Sequence, residues 1–239
     1  MQPMLNMENQ SMLKFHSLCI LALLALNSTF CAAADAPPAS PWQPTAMPAP
    51  TNKDIKNVAP IYGQLLMTVL PSGFKTEFEN VKDGHYIREA VLAGESVNKW
   101  TQMVTVTGEK GLVSNPNLTP QRFAEIKAAS FHRACPTSFA ARGLSDGKIS
   151  EYDAFVVVLS CGTSPSIAGQ TSESALIAVI KGASDYYTVQ WAERTEASAK
   201  PLEIDTAKWI ERFKRPNPIR LCPIVPGEVE PYASCIEKQ

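Results

Sequence analysis

The sequence has little of what metal, nucleic-acid or phosphate sites are built from. It has three histidines in 239 residues, no Cys-x-x-Cys spacing and a net charge of −1. It also lacks a zinc-protease helix, a glycine-rich phosphate loop and an array of basic and aromatic residues. A neutral charge balance gives no strong field to attract nucleic acid or an anionic membrane. We therefore predict no metal, no cofactor and no nucleic-acid partner.

What the amino-terminal residues do contain is the pattern of a secretory signal peptide over residues 1–34. Lys14 precedes the apolar run 18–26, a polar break follows at 27–29, and alanine occupies 32–34. This order predicts export with cleavage after Ala34. The apolar run is shorter than the roughly 20 residues of a membrane-spanning helix, so we expect no transmembrane segment after cleavage; a retained short anchor is the alternative. The predicted location is periplasmic or secreted.

Cysteine is scarce, and cleavage would leave four: Cys135, Cys161, Cys222 and Cys235. An even number in an exported protein predicts a disulfide framework, with three connectivities open. We favour Cys135–Cys161 and Cys222–Cys235, because the second pair closes a short loop near the carboxyl terminus. The alternative is a metal site, since His132 and Cys135 are three residues apart and could face one ion, although no third or fourth ligand is evident.

Proline marks the ends of the expected domain. Six prolines between residues 35 and 51, interleaved with alanine and serine, predict an extended spacer, so 35–60 is assigned to a proline- and alanine-rich linker. Residues 61–215 then form a single α+β globular domain, long enough for one well-buried core. The proline-rich residues 216–239 are predicted to be an irregular tail closed by its own disulfide.

Apolar patterns in the first half predict three strands and a helix. Residues 74–81 and 85–92 flank Asp83-Gly84, which is a strong signal for a hairpin turn. Residues 100–107, rich in valine and threonine, read as a third strand. Thr119-Pro120 opens a helix, because a hydroxyl cap followed by proline is typical of helix starts, and Cys135-Pro136 ends it.

The second half repeats that order. Residues 152–160 and 174–180 are short apolar runs typical of central strands. Residues 187–191 alternate apolar and polar side chains, which predicts a half-buried strand. Asp205 caps a second helix, with Ile204 placed to pack on Trp209 as a hydrophobic staple. The two units, each of three strands and a helix, are expected to share one largely antiparallel sheet with helices packed on it.

This order resembles the α/β sandwich of PsbP-type photosystem proteins and DcrB-type envelope proteins of Gram-negative bacteria. Small secreted Gram-negative proteins carry a strand like Trp100-Thr101-Gln102-Met103 and a later cysteine pair like Cys135 and Cys161. The resemblance covers residues 73–213 and does not include Cys222 and Cys235. It implies a binding or assembly factor rather than an enzyme, by analogy of fold alone.

Candidate catalytic residues are few and rest on residue type. A nucleophile and base could be drawn from Ser130, Ser138 or Cys135 with His132, and Asp153 could orient the histidine. The acids Glu77, Glu79 and Glu89 lie on the first predicted hairpin, where paired carboxylates could serve glycoside hydrolysis or simply face solvent.

The function that these observations favour is an exported non-enzymatic binding or assembly protein of the bacterial envelope, with an unknown protein or small ligand as partner. The alternatives are a hydrolase that uses His132 with a serine or cysteine nucleophile, and a protein inhibitor or immunity factor. No catalytic, cofactor-binding or metal-binding residue is assigned, and the assigned site residues are the four disulfide cysteines Cys135, Cys161, Cys222 and Cys235.

Overall fold

Strands account for most of the chain over residues 53–166 and 169–237, which are the residues that the computed structural model describes. They all belong to one structural unit, residues 48–239. The predicted signal peptide, its cleavage site and most of the predicted linker lie outside the described residues. The strands are β1 (Ile55–Ile61), β2 (Gln64–Leu70), β3 (Phe74–Lys82), β4 (His85–Leu92), β5 (Gln102–Glu109), β6 (Phe139–Ile149), β7 (Tyr152–Ser166), β8 (Gly169–Lys181), β9 (Tyr186–Glu196) and β10 (Arg220–Pro223).

Three α-helices accompany these strands in the described part of the chain. They are α1 (Pro120–Ala134), α2 (Thr206–Lys214) and α3 (Ala233–Ile236), and a 3₁₀ turn spans Leu112–Ser114. Within residues 53–166 and 169–237, no helix has the length and apolar character that crossing a membrane requires.

Seven strands form one antiparallel sheet in the order β3-β4-β5-β9-β8-β7-β6. The predicted hairpin joins β3 to β4 through Asp83 and Gly84, whose φ angles are 52° and 78°; positive φ at both positions is what a two-residue hairpin turn needs. The pairing of β5 with β9 brings the two halves of the chain into this sheet. The fold is therefore α+β, a largely antiparallel sheet with helices packed on it, as predicted.

One face of the large sheet is covered by a second, small sheet, and we call it the small-sheet face. Strands β1, β2 and β10 form the small sheet in the order β1-β2-β10. Its inward side chains, including Ile61 and Leu66, pack against Tyr187 and Val189 of β9. Helix α2 also packs on this face, where Trp209 lies in one cluster with Trp191.

The opposite face carries α1, and we call it the helix face. Phe123 and Ala124 of α1 pack there against Leu159, Ile177 and Val179 of the sheet. Alternate side chains along the central strands therefore belong to separate cores on the two faces, which explains why the sequences of β7 and β8 are apolar on both faces.

Both long helices begin as the sequence predicts. The Thr119 side chain accepts a hydrogen bond of 3.1 Å from the backbone N–H three residues on, and Pro120 follows at the first helical position. Asp205 caps α2 in the same way, also at 3.1 Å. Ile204 packs against the cluster that contains Trp209, as the staple requires.

Two strands lie outside the predicted domain limits of 61–215. Residues 55–60 belong to β1 rather than to a linker, and residues 220–223 form β10 rather than irregular tail. Both strands flank β2, which is buried over six of its seven residues and needs backbone partners on both sides. Pro60 and Pro223 weakened the strand signal, but both lie in edge strands, where proline costs no ladder hydrogen bond.

Strand β6 was also missed from the sequence. Most of its side chains are exposed, so it shows no apolar alternation, and its pairing with β7 is irregular between Gly143 and Ser145. An edge strand has one neighbour and can remain polar on both faces. Within the large sheet, the predicted repeat is therefore three strands (β3–β5) and a helix followed by four strands (β6–β9) and a helix.

Two disulfides join Cys135 to Cys161 and Cys222 to Cys235, which is the pairing favoured from the sequence. All four residues are buried. The first bond ties the end of α1 to β7, and the second ties α3 to β10. Because the Cys135 sulfur is covalently bonded, it offers no thiolate with which to join His132 at a metal ion.

Candidate functional site: a groove on the helix face

Helix α1 covers only part of the helix face. It lies against β6, β7 and β8, and beside it the side chains of β4, β5 and β9 form the floor of an open groove. The groove has a volume of about 340 Å³. Pockets for small ligands generally have volumes from about 300 to 1,000 Å³, so this groove is our candidate functional site.

The floor of the groove is polar. Thr105 of β5 lies opposite Gln190 of β9, and Thr107 lies opposite Thr188. The Thr107 and Thr188 hydroxyls share a hydrogen bond of 2.7 Å. The Gln190 amide, which is half-buried, makes no side-chain hydrogen bond to any residue in 53–166 or 169–237. A floor of this kind offers a donor and an acceptor to a bound molecule.

One wall is a fixed cluster of three side chains. Arg194 donates from Nε and Nη2 to the same oxygen of Glu173, at 3.0 and 2.9 Å. Both side chains are only 17% exposed. The guanidinium carbon lies 3.8 Å from the centroid of the Trp100 ring, within cation–π range. Because the arginine is paired on one side and stacked on the other, the orientation of this wall is set before any ligand arrives.

Glu89 of β4 is the acid in the groove whose charge is not matched by a direct contact. It lies opposite Thr105 in the sheet. Burial raises the pKa of the Glu89 carboxyl; attraction to Arg194 lowers it and repulsion from Glu173 raises it. Its carboxylate makes no hydrogen bond or salt bridge within the described residues. A half-buried carboxylate in this state gains most from a cationic or hydrogen-bonding partner.

The other side of the groove combines a cation with apolar surface. Lys127 of α1 lines the groove, and its ammonium lies 5.4 Å from the Phe123 ring centroid but forms no salt bridge with a described residue. Ile87, Val97 and Met103 supply apolar surface.

The histidine of the groove, His85, already has a partner. Its Nδ1 lies 2.7 Å from a carboxylate oxygen of Glu109, so one ring nitrogen is used within the protein.

The residues of the hydrolase hypothesis do not form a hydrogen-bonded set in the described part of the chain. His132 is exposed, and its ring contacts Phe139 edge-on at 5.3 Å. The Ser130 hydroxyl donates to the Ile126 carbonyl at 3.4 Å. The Ser138 hydroxyl accepts a hydrogen bond of 3.1 Å from the backbone N–H of Thr163 in β7.

The remaining members of that hypothesis are held elsewhere. Cys135 is in a disulfide, and Asp153 lies 3.5 Å from Lys148. The chain also contains a Gly-x-Ser-x-Gly pattern over residues 143–147, which sequence reasoning missed. It lies in edge strand β6, whereas a nucleophile elbow needs a turn between a strand and a helix.

The acids of the first hairpin separate in the structure. Glu77 forms a surface salt bridge with Lys75 at 2.8 Å, and Glu79 accepts a hydrogen bond of 2.7 Å from the Tyr86 hydroxyl. Only Glu89 of the three lines the groove.

Sequence reasoning did not find the groove, although part of its signal was visible. The alternation in residues 187–191 predicted a strand with Thr188 and Gln190 on its polar face. The structure shows that this face is not open solvent: Thr188 is 3% exposed, and Gln190 lines the groove. The pairing of β9 with β5 places these side chains in the floor of the groove, and that pairing cannot be predicted from the sequence of either strand alone.

No protein-family model matches the chain, and no curated protein matches it in sequence. Among solved structures, it is similar to the Ran-binding protein Mog1p of Saccharomyces cerevisiae, with 13% identity and a TM-score of 0.36 over 69% of this chain and 86% of that one. It is also similar to LpqN, involved in cell envelope biogenesis of Mycobacterium tuberculosis, with 10% identity and a TM-score of 0.35 over 72% and 93% of the two chains. Likeness at this level carries no argument about function, and the resemblance to PsbP- and DcrB-type proteins stays a prediction.

Proposed function

We propose that this protein is an exported, non-enzymatic binding protein of the bacterial envelope, and that its ligand occupies the groove on the helix face. The observation that carries the proposal is the state of the groove: Glu89, Gln190 and Lys127 line one cavity without hydrogen bonds or salt bridges to described residues. A bound molecule would satisfy these groups together.

Export is supported by two independent features. The predicted signal peptide directs the chain out of the cytosol, and the two buried disulfides are of the kind that persist in oxidising compartments.

A binding role is supported by the rigidity of the groove. Its floor comes from three neighbouring strands of one sheet, and the wall formed by Glu173, Arg194 and Trp100 is fixed by its own contacts. Preorganised polar groups beside apolar surface favour affinity, because little ordering is left to occur on binding.

The test is a thermal-shift measurement with small molecules extracted from an envelope fraction. A ligand present at about 100 times its dissociation constant stabilises the folded state by about 2.7 kcal/mol, which corresponds to a rise of roughly 5–11 °C in melting temperature for a domain of this size. We expect that rise for the wild-type protein.

The variant Ile87→Trp should abolish the shift, because Ile87 lines the groove and a larger ring would occupy it. The matched control Ile210→Trp changes an exposed isoleucine of α2, on the small-sheet face, and should keep the shift. His132→Ala should also keep it. A shift that survives Ile87→Trp would place the ligand elsewhere and contradict the proposal.

A further inference from the structure

Two of the charged side chains that line the groove pair with each other, and two others form no salt bridge with a described residue. Glu173 and Arg194 neutralise each other through two hydrogen bonds to one oxygen. This leaves the carboxylate of Glu89 on β4 and the ammonium of Lys127 on α1. They form no salt bridge with each other, since no pair within 4.0 Å joins them. The groove therefore presents one negative and one positive group at separate positions.

Each of these two groups gains from an opposite charge. The Glu89 carboxyl is desolvated, and burial raises its pKa, so a cation beside it would recover part of the energy that burial costs. Lys127 lies on helix α1, lines the groove and forms no salt bridge with a described residue. An anion that reached it would form a charge-assisted hydrogen bond.

The rest of the groove lining is suited to a short organic molecule. Ile87, Val97 and Met103 offer apolar contact, while Thr105 and Gln190 offer hydrogen bonds from the floor. A volume of about 340 Å³ is at the small end of the range for ligand pockets. This suits a ligand the size of an amino acid or a dipeptide.

We propose that the groove binds a small zwitterion with an uncharged side chain, namely a free amino acid or a dipeptide, whose ammonium faces Glu89 and whose carboxylate faces Lys127. This inference rests on the proposed function and names the ligand class for the same groove. Selectivity follows from geometry, because a molecule with only one of the two charges leaves the other protein group without a partner.

The experiment is isothermal titration calorimetry of the full disulfide-bonded chain with four probes. These are L-leucine, L-leucyl-L-leucine, the N-acetylated dipeptide, which lacks the ammonium, and the dipeptide amide, which lacks the carboxylate. We expect the better of the two zwitterions to bind about 10-fold or more tightly than either dipeptide analogue. Whether leucine or the dipeptide binds more tightly shows whether the ligand is a free amino acid or a dipeptide.

Two variants assign the two ends of the ligand. Glu89→Gln should weaken the zwitterion about 10-fold while leaving the affinity for the N-acetylated dipeptide unchanged. Lys127→Gln should weaken the zwitterion similarly while leaving the affinity for the dipeptide amide unchanged. The controls Glu203→Gln and Lys56→Gln alter exposed residues outside the groove and should bind as the wild type does. Circular dichroism verifies that all four variants fold.

The proposal is overturned if the wild-type protein binds neither zwitterion, or binds all probes equally, or if the two variants lose affinity without regard to which charge the probe carries. If the zwitterions fail while the extract still gives a thermal shift that Ile87→Trp abolishes, only the ligand class is wrong. If the extract also gives no such shift, the proposed function fails with it.

Discussion

Removing the Cys135–Cys161 disulfide should lower the free energy of unfolding by about 3.5 kcal/mol. The two cysteines are 26 residues apart, and in the chain-entropy model a loop of this length restricts the unfolded chain by about that amount. The second disulfide spans 13 residues and is expected to contribute about 2.9 kcal/mol by the same relation.

The two disulfides should contribute similar amounts to the free energy of unfolding, but their removal should loosen different parts of the structure. Cys135 ends α1, and Lys127 lies about two turns earlier on that helix. Loss of the first disulfide should therefore raise amide hydrogen exchange in α1 beside the groove. Loss of the second should raise exchange in α3 and β10 and leave α1 as it is.

The assay is urea unfolding followed by tryptophan fluorescence, with Cys135→Ala/Cys161→Ala compared with the wild type and with Cys222→Ala/Cys235→Ala. Alanine keeps the buried positions apolar. If the first double variant unfolds at the same urea concentration as the wild type, with the same dependence on denaturant, the first disulfide does not restrain the unfolded chain and the reasoning is refuted.

Two further outcomes are expected. Burial raises the pKa of the Glu193 carboxyl, but hydrogen bonds from Lys208 and Arg212 and attraction to both cations lower it by more, so the net shift is downward. A pKa that is lower in the folded than in the unfolded state stabilises the protein at neutral pH. That stabilisation is lost as the pH falls through the folded-state pKa. Glu193→Gln should therefore lower the free energy of unfolding by about 2 kcal/mol at pH 7 and make urea unfolding less sensitive to acid. An equal loss of stability at pH 7 and pH 3 would contradict the ionised state of Glu193 as the source of the stabilisation. Gly108→Ala should lower the free energy of unfolding by about 1–3 kcal/mol, because a Cβ at this position would collide with the Ile61 side chain of the small sheet. Unchanged thermal stability would contradict this and show that the two sheets have room to move apart.

Much of the large sheet and both long helices could be predicted from local pattern. The hairpin at Asp83 and Gly84, the caps at Thr119 and Asp205, and the apolar runs of β7 and β8 each carry their signal within a few residues. Local rules of this kind suffice where one turn or one cap decides the conformation.

The missed elements are those whose reason lies elsewhere in the chain. β1 and β10 exist because β2 needs partners on both sides, and β10 lies more than 150 residues away from it. Most side chains of β6 are exposed and show no apolar alternation, so its place in the sheet depends on its pairing with β7.

The groove is harder to predict for the same reason. Glu89, Lys127 and Arg194 come from β4, α1 and β9, and nothing in their local sequences relates them. The register of β4 with β5 and of β5 with β9 brings Glu89 and Arg194 to one face. The packing of α1 on that face adds Lys127 to the groove.

The two strands β5 and β9 meet along one line of backbone pairing, here called the seam, and the groove floor is complete only when this seam has formed. Residues 102–109 meet residues 186–193 along it, so the floor is split between parts of the polypeptide about eighty positions apart. A break in the loop before α1 would leave Thr105 on one fragment and Gln190 on the other. Neither fragment would carry a complete floor, and recovery of ligand binding on mixing them would report directly that the seam had closed.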